Sequence, residues 1–385
     1  MEIVEFPVEV QQSTLDAMKM YRNVFAGKRV LITGHTGFKG AWLTIYMRYL
    51  GAHVTGYSLP APGPCIFATA ELQPLVSHRE GDIRDSAGLR QVLEECRPHF
   101  VFHMAAQSLV LESYRNPVDT FETNVMGSVR LLEAIRQTRT RSTLIMVVSD
   151  KCYKNNEWVF GYREIDALGG HDPYSASKSA MDIAVRSYRL SYFPPKDFKD
   201  HGVSIAAVRS GNVVGGGDWG VDRIVPDAVR ALSRGETLTV RSPEATRPWQ
   251  HVLDPLSGYL WLAACLSERP QQYAGEWNFG PLPSEDRCVR ELADAITAAW
   301  GKGATWVEGS DTTQHEAKTL KLNIDKAVTE LQWRPVWNFE TTVQRTISWY
   351  KQAEGADGKA VYDLCTQDIE AHRAEARAKG LAWAF

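Results

Sequence analysis

Glycines at positions 34, 37 and 40 limit the possible folds of this chain more than any other feature. The apolar stretch Arg29-Val30-Leu31-Ile32 runs directly into Thr33-Gly34-His35-Thr36-Gly37-Phe38-Lys39-Gly40, and a second apolar segment, residues 41–50, follows. A GxxGxxG run between a strand and a helix suits a sharp turn, a pyrophosphate laid on backbone N–H groups and a helix packed closely on a sheet. A flexible loop would lack the flanking strand and helix, and that context is what gives the pattern weight. Gly34, Thr36, Gly37, Phe38, Lys39 and Gly40 are therefore candidate cofactor contacts. The run is not a phosphate loop of the GxxxxGK[ST] kind, because Lys39 precedes the last glycine and no Ser or Thr follows it.

One expected element is missing. The second strand, residues 53–57, leads into Ser58 and Leu59, with no acid for a ribose 2′-hydroxyl and no Arg or Lys for a 2′-phosphate. That position leaves the choice of dinucleotide open. Farther on, Asp82 and Ile83 end a third strand where an adenine would lie. Ala105, Ala106 and Gln107 follow a fourth strand and, with Asn124, complete the candidate cofactor contacts.

From about residue 28 to 149 strands alternate with helices, which predicts an α/β fold: a doubly wound parallel sheet of Rossmann type with helices on both faces. Beyond Arg209 the rhythm breaks at Gly215-Gly216-Gly217-Asp218-Trp219. The expected division is a leader at 1–23, a dinucleotide-binding domain at 24–210 carrying the catalytic residues, and a smaller substrate lobe at 211–385. A strand near 276–279 and a helix of the lobe are allowed to return to the first domain. Residues 368–379 read as a charged helix, solvated or facing another subunit. The leader carries Glu2, Glu5 and Glu9 and does not read as a signal peptide; it is expected to be loose or to pack on a neighbouring subunit.

Composition narrows the partners. With 43 basic and 46 acidic residues among 385, there is no charge excess to attract nucleic acid or a membrane surface. Six scattered cysteines without a CxxC fit reduced thiols in the cytoplasm, and no histidine pair suggests a metal. No run approaches the roughly 18 apolar residues of a membrane span.

The chemistry is carried by two short segments. Leu144 to Val148 run as a buried strand into Ser149-Asp150-Lys151, and Asp172-Pro173 signals the start of a helix bearing Tyr174 and Lys178 one turn apart. A phenol with a pKa of about 10 is a poor base. A cation one turn away is expected to favour the phenolate, so that Tyr174 takes a proton from a hydroxyl whose carbon is losing hydride. Ser149, Asp150, Lys151, Tyr174 and Lys178 are the catalytic candidates. Tyr174 and Lys178 are also expected to touch the cofactor.

These residues resemble an extended short-chain dehydrogenase/reductase, and within that group the CDP-glucose 4,6-dehydratases. The likeness spans about residues 28–350. It rests on the glycine turn, Phe102 to Gln107, Ser149 to Tyr153, Asp172 to Ser175, Gly215 to Trp219, and Arg247-Pro248-Trp249-Gln250-His251-Val252. It implies NAD as cofactor and a nucleotide-sugar substrate in deoxysugar biosynthesis, with the chain assembled as a homodimer or homotetramer. It further implies that Ser149 and Tyr174 serve C4 oxidation, that Lys151 removes the C5 proton, and that Asp150 protonates the departing 6-hydroxyl. Lys151 must be neutral to act, so its pKa is expected to fall from about 10.4 toward 7. Gln107, Asn212, Arg223, Arg247 and His251 are the substrate candidates, with Arg247 suited to a diphosphate. Leu111-Glu112 departs from the pattern near the expected hexose. The competing readings are a 4,6-dehydratase for another nucleotide-hexose, a nucleotide-sugar 4-epimerase, and a silent dinucleotide-binding sensor.

Overall fold

The computed structural model describes residues 20–61, 63–301, 303–309 and 318–385. Residues 1–19 of the expected leader lie outside them. Seven parallel strands form one sheet: β1 (Arg29–Thr33), β2 (His53–Ser58), β3 (Ser77–Glu80), β4 (Phe100–His103), β5 (Thr143–Val147), β6 (Ser204–Ser210) and β7 (Gly275–Phe279). Their spatial order is 7-6-5-4-1-2-3. β1, β4, β5 and β6 read as nearly unbroken apolar runs because helices cover both faces. Chain order reverses between β1 and β4, the crevice where open α/β sheets place ligands.

Helices α1 (Phe38–Tyr49), α2 (Ser86–Cys96), α3 (Gly127–Thr138), α4 (Pro173–Ser191), α5 (Leu253–Glu268) and α6 (Gly358–Ala378) cover the sheet. α3 packs against both α2 and α4 on one face; α5 lies on β5 and β6 across the other, where α6 packs on α1. α5 is apolar on all sides, from Leu253 to Leu266, because it is enclosed on all sides. Residues 117–138 run helically throughout but pass through a π turn at Glu122–Met126.

Two expectations change. The charged C-terminal helix packs one face on this chain itself. It begins at Gly358 and buries Val361, Cys365, Ile369, His372 and Ala376 along one face, and His372 meets the Asp254 carboxylate of α5 at 3.0 Å. The end of the leader likewise belongs to this chain's own core: Tyr21 is fully buried, with its ring stacked on Trp383 at 5.4 Å. Ring burial outweighs the acidic character of the segments that carry these residues.

Beyond β6 the chain builds short two-stranded ribbons: Val213–Val214 with Gln250–His251, Thr246–Arg247 with Arg287–Cys288, and Leu238–Val240 with Trp306–Glu308. They stand over the carboxyl ends of the strands, and β7 then returns to pair with β6. No helix among the described residues is long and apolar enough to cross a membrane.

Candidate active site

A cleft of about 1310 Å³ runs from the glycine turn, past the ends of β4 and β5, to the short ribbons. At one end the backbone is held too tightly for side chains. Gly34 has a φ of +74°, and a Cβ there would meet the Ala105 backbone nitrogen at 2.7 Å; one on Gly40 would stand 2.1 Å from the Gly34 carbonyl oxygen. Gly37 is less constrained, since its Cβ would meet only that same oxygen, at 3.4 Å. The turn therefore presents bare backbone at the start of α1, as a pyrophosphate requires.

Thr36 hydrogen-bonds Ser58, 2.7 Å away, so the residue standing where an acid is usual ties the turn to β2. Asp82 is already engaged: Arg84 reaches it with both backbone and guanidinium, and that bond holds its carboxyl below the usual range. Arg84 also bonds Asp119. This cleft-lining Arg went unnoticed in the sequence, although it stands two residues beyond Asp82. Ile83, Ala105, Ala106 and Phe38 line the same end. Asn124 does not. It is buried behind the cleft, where its amide bonds the Gln107 backbone and the Ser177 hydroxyl. Gln107 lines the cleft, but its side-chain amide is occupied by Leu109 and Thr120.

The middle of the cleft gathers all five catalytic candidates. Asp172 caps α4 by accepting from the Ser175 backbone N–H, which sets Tyr174 and Lys178 on the inward face. The Ser149 hydroxyl donates to Asp150 at 3.0 Å and accepts from the Lys151 backbone N–H. Burial raises the Asp150 carboxyl above its ordinary value, against the opposing charges of Lys151 and Arg247, and its second oxygen is buried without a partner. A carboxyl in that setting is a proton donor. Lys151 lines the cleft beside it with no ion pair to Asp150 within 4.0 Å, so the pair is not a closed salt bridge.

The expected effect of Lys178 on Tyr174 is not what the geometry gives. The Lys178 ammonium donates to the Val147 carbonyl at 3.2 Å. Burial pushes the phenol up to about 12, while the Ser149 hydroxyl and then Arg223 act the other way. Lys178 and Lys39 are themselves buried in the same cleft, and desolvation brings each down to about 8; for Lys178, Lys39 adds repulsion. Two desolvated cations beside a backbone cradle fit a dinucleotide with its paired phosphates.

At the far end lie Asn212, Arg223 and Arg247. Arg223 grips Asp218 with one nitrogen at 2.9 and 3.0 Å and reaches Ser108 with another. Arg247 is buried and donates to the carbonyl oxygens of Thr246 and Lys318. His251 belongs elsewhere. It is fully buried away from the cleft with its ring edge-on to Trp337 at 4.6 Å, and burial, then His372, holds it well below its ordinary pKa. Its β pairing with Val214 turns the imidazole into the layer beneath. Leu111 lines the cleft, whereas Glu112 bonds Asn116 on the outside.

Residues 31–346 match the family model described as GDP-mannose 4,6 dehydratase. This chain belongs to that family. Among curated proteins, it is 44% identical over 331 residues to CDP-glucose 4,6-dehydratase of Salmonella typhimurium, covering 86% of this chain and 92% of that protein. Among solved structures, the dTDP-glucose 4,6-dehydratase DesIV of Streptomyces venezuelae, with NAD and TYD bound, superposes with a TM-score of 0.71 at 25% identity, covering 85% of this chain and 98% of that one. The epimerase Mth375 of Methanothermobacter thermautotrophicus reaches a TM-score of 0.75 at 22% identity over 91% of this chain and 98% of its own. That likeness speaks for the fold alone.

Proposed function

We propose that this chain is an NAD-dependent nucleotide-sugar 4,6-dehydratase that converts CDP-glucose to CDP-4-dehydro-6-deoxyglucose and water. The observation that carries this reading is one cleft holding both a group pair suited to oxidation, Ser149 with Tyr174, and a pair suited to elimination, Asp150 with Lys151. The relative in Salmonella typhimurium supports the choice of CDP-glucose.

NAD, which the glycine turn at residues 34–40 with Lys39 and Lys178 would hold, would supply reversible hydride chemistry between C4 and C6. Ser149 holds the sugar 4-hydroxyl and Tyr174 receives its proton. The resulting 4-ketone acidifies C5, and Lys151 removes the C5 proton. Asp150, whose carboxyl burial raises above its ordinary value, gives its proton to the departing 6-hydroxyl, so that water leaves. Arg223, Arg247 and Asn212 bind the diphosphate and adjoining sugar oxygens, with charge-assisted hydrogen bonds from the two guanidiniums. A 4-epimerase would have no use for an acid and a base at this turn, since it expels nothing.

Exposed apolar side chains at Val118 and Phe121, on a helix packed against α4, and at Ile183 of α4 support assembly as a homodimer or homotetramer. The six unpaired cysteines support a cytoplasmic location. A dinucleotide-binding domain over residues 24–210 and a mainly substrate-binding lobe over 211–385, with β7, α5 and α6 returned to the first domain, remain our division of the chain.

Two tests belong here. Incubation with CDP-, dTDP-, UDP- and GDP-glucose and with GDP-mannose should give the base-absorbing 4-keto product from CDP-glucose at the highest kcat/KM. Preference for another nucleotide, or a 4-epimer without loss of water, would overturn the assignment. Affinity for NAD should also fall as pH rises through about 8, where Lys39 and Lys178 lose their charge. Calorimetric titration across that range checks it, and a flat profile would separate both cations from the dinucleotide.

A further inference from the structure

Behind the catalytic turn lies a buried polar ladder, of which Tyr153 also borders the cleft. Arg209, on β6, donates to the Asp182 carboxylate of α4 at 2.7 Å, to the Tyr153 hydroxyl at 2.7 Å and to the Glu164 carbonyl at 3.1 Å. Tyr153 donates onward to the Asn278 side chain of β7 at 2.7 Å. Asn278 binds the loop after the catalytic turn twice, through the Glu164 carboxylate and the Tyr162 carbonyl, and also donates to the Asn323 carbonyl. Arg209, Asp182, Tyr153 and Asn278 are all buried. The rings of Tyr153 and Tyr162 stack at 5.2 Å, and that of Trp158 on Tyr162 at 5.3 Å.

The positions in sequence give the ladder its meaning. Tyr174, Lys178 and Asp182 follow at four-residue intervals along one face of α4, so Arg209 holds the turn of helix below Lys178. Tyr153 stands two residues after Lys151. The residue between them, Cys152, is fixed as well: its carbonyl accepts from the Ser179 hydroxyl at 2.6 Å and from the Gly169 N–H at 2.9 Å. The backbone just beyond Lys151 is thus tied to the oxidising helix and to the two sheet strands β6 and β7, whereas the Lys151 side chain itself makes no hydrogen bond among the described residues.

We infer that Arg209 and Tyr153 are positioning residues that set Lys151 at the C5 face of the sugar, relative to Tyr174. The inference rests on the reading of Lys151 as the C5 base. A buried charge pair and its hydrogen-bonded partners hold one arrangement, because any other leaves a charge without a partner. A displacement on the order of 1 Å in a reacting group costs about 100-fold in rate, so losing the Tyr153 hydroxyl is expected to slow elimination far more than oxidation.

Tyr153→Phe is the informative variant, since it removes the hydroxyl and keeps the stacked ring. With CDP-glucose and NAD, it should form enzyme-bound NADH in a single turnover within about twofold of the parent rate, while exchange of the C5 hydrogen with solvent deuterium falls about tenfold or more. Arg209→Lys, which keeps the charge toward Asp182 but not the fork to Tyr153, should show the same split in milder form, and Lys151→Met serves as control. Equal losses of both steps in Tyr153→Phe, or none in either, would make the ladder merely structural and overturn the inference while the base assignment stands. Undiminished C5 exchange in Lys151→Met would overturn both.

Discussion

Lys151→Met is expected to keep C4 oxidation and lose elimination. Ser149, Tyr174 and Lys178 are untouched by the substitution, so the ketone still forms, and Met fills the volume of the lysine stem without its amine. Enzyme-bound NADH should accumulate, and turnover should fall by about 10²–10⁴-fold, the usual contribution of a positioned base. C5 exchange with solvent deuterium, followed by NMR or mass spectrometry, reads the missing step. If Lys151 served only as a charge beside Asp150, its removal would raise the acid's pKa further, because the lysine charge at present opposes the effect of burial. The pH optimum would then shift, and C5 exchange would continue near the parent rate.

Tyr174→Phe is expected to stop the reaction one step earlier. The ring keeps its buried place, but no group remains to receive the 4-hydroxyl proton, and kcat should drop by about 10²–10⁴-fold. Neither enzyme-bound NADH nor C5 exchange should appear, in contrast to Lys151→Met. Burial pushes the phenol up to about 12, so Tyr174 receives the 4-hydroxyl proton through its phenolate form. An unchanged rate in Tyr174→Phe would mark the Tyr174–Lys178 pair as structural.

What the chain reveals in one dimension is what lies close along it. The glycine turn, the strand leading to Ser149-Asp150-Lys151 and the capped helix with Tyr174 and Lys178 each span a dozen residues or fewer, and each sits on its expected element. The strand alternation likewise carries over to the parallel sheet. Interactions that join distant segments were invisible. Arg209 meets Asp182 across 27 positions and Tyr153 across 56, and nothing local marks any of the three as partners. His251 reads as a polar residue beside a diphosphate-binding Arg, yet its strand pairing faces it into Trp42 and Trp337. The orientation of Lys178 toward Val147 depends on a side-chain path that spacing does not specify. The burial of the C-terminal helix, by contrast, had a local signal that the reading missed. Val361, Cys365, Ile369, His372 and Ala376 recur at helical intervals, and the surrounding charges masked the stripe.

The dehydratase account requires that the hydrogen leaving C4 be the one that arrives at C6. CDP-glucose deuterated at C4 should therefore yield CDP-4-dehydro-6-deoxyglucose carrying that deuterium in its C6 methyl group, with NAD needed only in catalytic amounts and no net NADH. Deuterium recovered in free NADH in step with product would make the chain a simple dehydrogenase, and deuterium still at C4 of a CDP-hexose would make it an epimerase; either would contradict the account.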